Sequence, residues 1–249
     1  MAARAKALVL ALLVCGAGVV TLGQARQTAA PRRIISVIPA VTEMLYAIGA
    51  GPQVAAVGQF DVYPPQVKDL PHVGGLINPD VERILSLKPD LVVFYATQAD
   101  LQTQLARAGV PVFSYKHAGI EGIFATLASL GPVVGHGSEA ARLVRDLRAA
   151  LERTRAATAG RPLPRTLLVF ERDQGTLRGI YTAGGRGFLN EMLTIAGGTN
   201  VFADVDRESV QTSTETIIAR APEVIIEVHA TGMMPGEASA AERRVWGTL

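Results

Sequence analysis

ERILSLKPDLVV, residues 82–93, returns as ETIIARAPEVII at residues 215–226. The two align without a gap, Ile84 on Ile217, Pro89 on Pro222 and Asp90 on Glu223. Each copy starts with an acid, spaces its apolar residues as a short helix does, meets a proline that ends the helix, and closes in a run with the character of a buried strand. A unit that occurs twice in one chain predicts two related lobes. A second pair, TEMLYAIGA at 42–50 and NEMLTIAGG at 190–198, shares Glu-Met-Leu on a helix that ends in glycine.

Between the copies lies SEAARLVRDLRAALERTRAAT, residues 138–158, rich in Ala, Arg, Leu and Glu. It reads as one helix capped by Ser138 and closed by Gly160 and Pro162. At about 1.5 Å per residue it spans roughly 30 Å, the width of a small domain, so it can join two lobes. The expected organisation is a first lobe over 33–135, a linking helix over 138–159 and a second lobe over 163–249. Within the first lobe, strands are expected at Arg33–Ile38, Val54–Val57, Leu91–Tyr95 and Val112–Ser114. Helices are expected at Thr42–Ile48, Ala99–Ala108 and Ile120–Leu130, with another opened by Asn78 as N-cap and Pro79 at its first position. The second lobe is expected to hold strand Thr166–Phe170, an extended piece at Ile180–Thr182, helices Phe188–Ile195 and Ser213–Arg220, and strand Val224–Val228. Alternating strands and helices give an α/β fold whose lobes each contain a mostly parallel sheet with flanking helices. Lobes of this kind usually carry a further strand and helix, so the second lobe is expected to be truncated.

The chain has 249 residues, 49% of them hydrophobic, enough to bury a core in each of two lobes. Arg4 and Lys6 precede an apolar run from Ala7 to Leu22, followed by Gly23, Gln24 and Ala25. That is the pattern of a secretory signal peptide over 1–25, and the run is short of the roughly 20 residues of a membrane span. An uncleaved anchor is the alternative. The single cysteine, Cys15, falls inside this run, which rules out a disulfide framework in the exported part. Of 24 basic residues two, Arg4 and Lys6, leave with the signal, and 22 remain against 22 acids. With no basic surface implied, nucleic acid is excluded as a partner, and the expectation is a monomer.

RIISVIPAVTEMLYAIGAG from Arg33, DVYPPQ from Asp61, ERILSLKPDLVV, YTAGG from Tyr181 and AGGTNVF from Ala196 together resemble the periplasmic binding proteins of vitamin B12, ferric-siderophore and haem importers. The resemblance implies two lobes gripping a ligand between them. It further implies that Glu82 and Glu215, the equivalent acids of the internal repeat, dock onto arginines of a dimeric membrane permease with its ATPase. It points to Tyr63, Gly75, Leu76, Tyr181 and Ser209 as positions at the ligand. Tyr63 retains the aromatic of the family's DYPP motif, whereas Leu76 and Ser209 stand where similar proteins carry tryptophans. Gly75, within VGGLINPD, stands where haem binders carry an axial tyrosine. The ligand implied is cobalamin or a related corrinoid, with a ferric siderophore, and less readily haem, as the alternative. The protein itself is expected to hold no intrinsic cofactor.

No nucleophile–base pair, P-loop or metal motif is present, and GGRG at Gly184–Gly187 reads as a turn, so an enzyme is not expected. His72, His117, His136 and His229 lack ligand-like spacing and no metal site is expected. Arg172, Arg178 and Arg186 read as solvated. The competing reading from another class is a signal-anchored sensor or assembly protein that uses the same fold.

Overall fold

The structure is a computed structural model, and it describes residues 29–228 and 237–247. The signal-peptide stretch with Arg4, Lys6 and Cys15, and also His229, lie outside the described residues.

The first lobe is a four-stranded parallel sheet in the order β2-β1-β3-β4. Its strands are β1 (Ile34–Ser36), β2 (Val54–Val57), β3 (Leu91–Tyr95) and β4 (Val112–Tyr115). Ile34, Ile35, Val92, Val93 and Phe94 are fully buried in one cluster, as strands covered on both faces must be. Helices α1 (Pro39–Ala47), α2 (Val81–Ser86), α3 (Ala99–Arg107) and α4 (Gly119–Val133) connect and cover the strands. Asn78 is not the cap of α2. The Asp80 amide donates to the Val73 carbonyl at 2.9 Å and Gly74 bridges Pro79, which keeps that segment extended. The helix starts after it, with the Asp80 carboxylate accepting from the Arg83 amide at 2.9 Å.

The linking helix α5 (Gly137–Thr158) is one unbroken element of 22 residues. Ser138 does not cap it, because its hydroxyl donates to Glu139 Oε2 at 2.9 Å, and the helix opens one residue earlier.

In the second lobe β5 (Arg165–Glu171) is central. β9 (Val224–Glu227) runs parallel along one edge; the other edge pairs with β7 (Thr199–Asn200) in parallel and β6 (Ile180–Ala183) antiparallel. β8 (Ser209–Thr212) extends the sheet antiparallel to β6. This sheet is thus more mixed than expected, since the chain doubles back through β6 and β8 before α7 (Thr214–Arg220). Leu167, Val169, Ile180, Phe202 and Ile217 form its core. The turn expected at Gly184–Gly187 is there, and it needs glycine. A Cβ on Gly184 would stand 2.2 Å from the Arg207 carbonyl oxygen, and one on Gly185 2.2 Å from that of Ala203. Helix α6 (Phe188–Ile195) follows it.

Arg172 is not solvated. Its side chain, 2% exposed, pairs with Glu227 at 2.7 Å and with Glu242 of α8 (Glu237–Trp246). The Trp246 indole donates to Glu227 at 2.8 Å, so α8 is moored to the ends of β5 and β9.

The internal repeat is a structural one. Asp80 and Ser213, equivalent in the alignment, each cap their helix through the side chain. Lys88 and Ala221, also equivalent, are the two non-glycine residues of positive φ among those described, at 49° and 42°. Both precede the repeated proline, which disfavours the right-handed helical conformation there. Asp90 accepts from the amides of Arg32 and Arg33 at the entry to β1, and Glu223 accepts from that of Arg165 at the entry to β5. Arg33 and Arg165 then reach back to the carbonyls of Leu87 and Arg220, which are again equivalent.

Candidate functional site

In a parallel sheet the loops at the carboxyl ends of the strands form the natural binding edge. Here they are the segments after β2, β3 and β4. The loop after β2 presents Phe60 and Tyr63, 65% and 56% exposed, beside an exposed Val62. Large apolar side chains left in water on a loop mark a surface built to be covered. The loop is held at Asp61, whose side chain is 3% exposed beside Thr42 and Gly58 and whose amide donates to the Gly58 carbonyl at 3.2 Å. Burial raises its pKa to about 6.

The neighbouring loop carries Leu76 and Ile77, the latter 96% exposed. Gln98, after β3, donates to the Leu76 carbonyl at 2.7 Å and accepts from the Tyr95 amide at 2.9 Å, tying this loop to the strand end. A pocket of about 620 Å³ opens between Leu76–Val81 and Thr97–Gln104. Gly75 is buried beneath it, where a side chain would meet Gln59 and Asn78. After β4, His117 accepts or donates one hydrogen bond, Nδ1 to the Tyr115 hydroxyl at 3.2 Å.

From the second lobe, Phe170, Phe188, Arg186, Glu208 and Ser209 meet His117 around a smaller pocket of about 170 Å³. Arg186 is engaged by Asp206 at 3.0 Å. Tyr181 lies within β6, and its ring is 6.5 Å from that of Phe170, which lines this pocket.

The sequence-predicted residues therefore fall into groups. Tyr63, Gly75 and Leu76 belong to adjoining loops of the first lobe, and Tyr181 and Ser209 to paired strands of the second. Glu82 and Glu215 line neither pocket. Both are exposed, each the second residue of its helix, where the helix dipole favours a carboxylate. The Ser213 hydroxyl and the helix-start backbone hold the Glu215 carboxyl below its usual range. Phe60, Ile77, His117, Phe170 and Phe188 are additions that periodicity did not single out, although Phe60 sits one residue before the DVYPP motif. Among the described residues no cluster of His, Cys, Asp or Glu suits a metal ion, and no helix is long and apolar enough to cross a membrane.

A family model described as periplasmic binding protein matches residues 34–236. A vitamin B12-binding protein of Yersinia pestis is 34% identical over 200 residues, 79% of this chain and 69% of its own. Among solved structures, the periplasmic vitamin B12 binding protein of Vibrio cholerae superposes with a TM-score of 0.71 at 25% identity, covering 88% of this chain and 82% of that one. A periplasmic haem-binding protein from Pseudomonas aeruginosa gives 0.73 at 25% identity, covering 87% and 77%. With the family model spanning both lobes and the helix that joins them, this chain belongs to the periplasmic binding proteins, a solute-binding class and not an enzymatic one.

Proposed function

We propose that this protein is the exported substrate-binding component of an ABC importer, which captures cobalamin or a related corrinoid between its lobes and delivers it to a permease dimer and its ATPase. The observation that carries the reading is the chemistry of the cleft edge. Phe60, Tyr63, Leu76 and Ile77 offer exposed apolar surface, and Phe188 and Phe170 add aromatic surface from the other lobe. A broad, flat, amphipathic macrocycle suits such walls. An anionic ferric siderophore is served less well, because Arg186, the arginine of the pocket beside His117 and Phe188, is already paired with Asp206. The similarity to vitamin B12-binding proteins supports the same ligand.

Docking falls to Glu82 and Glu215. Their equivalent, exposed positions on two related lobes match a two-fold-related pair of basic sites on a permease. Residues 1–25 direct export to the periplasm, and the ligand is cargo, with no resident cofactor. The experiment is uptake of cobalamin into proteoliposomes that contain the permease and ATPase encoded beside this protein. Uptake should require the protein and should be abolished by the double substitution Glu82→Ala, Glu215→Ala, while the affinity for cobalamin in solution stays unchanged. Loss of ligand affinity with normal docking would reverse the roles given to the two glutamates.

A further inference from the structure

The linking helix is not the whole connection between the lobes. The loop after β4 reaches the start of α6, where the ring of His117 stands edge-on to that of Phe188, with centroids 6.4 Å apart and planes at 86°. One turn further, the Ile120 amide donates to Glu191 Oε2 at 2.7 Å. A carboxylate from the second lobe thereby caps α4 of the first, whose own N-cap residue, Ala118, makes no side-chain bond. Glu191 also stands in the first turn of its own helix, so it lies at the positive ends of two helices from different lobes.

The surroundings are shaped around this carboxylate. Gly119 adopts φ +43°, and a Cβ there would stand 2.3 Å from Glu191 Oε1. Below it, Ile120 and Phe124 of α4 and Ile195 of α6 form a buried cluster, joined by Val144 and Leu151 of α5. Glu43, the counterpart of Glu191 in the second sequence pair, is exposed at the surface of α1. Glu191 is half-buried and bonded across the junction, so its placement is particular to the lobe junction and not a requirement of the helix-and-glycine unit.

We propose that Glu191 is a positioning residue that fixes the width of the cleft by bolting α6 to the N-terminus of α4. The bolt stands beside the pocket of His117, Phe188 and Ser209, and it opposes any swing of the lobes about α5. The walls are then held at their binding separation before ligand arrives, which lowers the cost of ordering them on binding.

Spin labels on Gln102→Cys and Ala219→Cys, exposed positions on α3 and α7, report the inter-lobe distance by pulsed electron resonance in the exported chain without ligand. The parent and Glu191→Gln, which keeps an oxygen acceptor for the Ile120 amide, should give one narrow distance. Glu191→Ala and Gly119→Ala, checked for folding by thermal melting, should each broaden it. In the loosened variants the affinity for cyanocobalamin should fall about tenfold, roughly 1.4 kcal/mol. The same narrow distance in folded Glu191→Ala and Gly119→Ala overturns the proposal. The distance measurement needs no ligand, so a protein that fails to bind cobalamin would count against the function proposed above and leave this test intact.

Discussion

Asp61 is the residue whose chemistry departs furthest from its ordinary state. Its carboxyl is raised from 3.8 to about 6, chiefly by burial. An acid with a raised folded pKa stabilises the fold fully below its unfolded value, and that contribution is lost as pH rises through the folded one. Asp61→Asn should therefore be more stable than the parent above pH 6, by roughly 1–3 kcal/mol, with the difference vanishing towards pH 4. Melting curves across that range would check it; equal stability at pH 7.5 would refute it. Truncating Tyr63 or Phe60, the exposed aromatics on either side of Asp61, to alanine should weaken cobalamin binding by roughly 1–3 kcal/mol. At this scale the sequence was partly legible. Equivalent glutamates and an aromatic beside Pro-Pro could be seen in it, whereas the burial of Asp61 and of Arg172 depends on residues distant along the chain.

Among the elements, strands with fully apolar runs were legible to the residue: Val54–Val57 and Leu91–Tyr95 lie where their composition placed them. β8 was not anticipated, because its sequence Ser-Val-Gln-Thr is polar and half exposed and belongs to the sheet only through pairing with β6. α2 starts two residues later than expected, where the Asp80–Val73 hydrogen bond holds the chain extended, whereas α1 opens three residues before Thr42, at Pro39. The last helix, α8, was not anticipated and is moored to Arg172. Replacing Arg172 by Met would leave Glu227 and Glu242 buried without a counter-charge, and a loss of about 3–5 kcal/mol is expected. Denaturant titration of that variant measures it. A loss below 1 kcal/mol would mean that α8 contributes little to the lobe.

The two-lobed architecture was legible because it is written twice: the repeat carries its caps, its positive-φ residue and its strand-entry acid into both lobes, and one long helix separates them. The junction was not legible, since Gly119, Ile120 and Glu191 come from separate segments and no local pattern marks them as neighbours. The proposed carrier role rests on pairing an apolar cleft edge with exposed acids on the outer helices. The most direct test of that account is a calorimetric titration of the exported protein with cyanocobalamin, run beside a ferric siderophore and haemin. Saturable binding of one cobalamin per chain, at about micromolar affinity or tighter and weakened in Tyr63→Ala, is the predicted result. Absence of cobalamin binding, with saturable binding of a ferric siderophore or haemin instead, would contradict it.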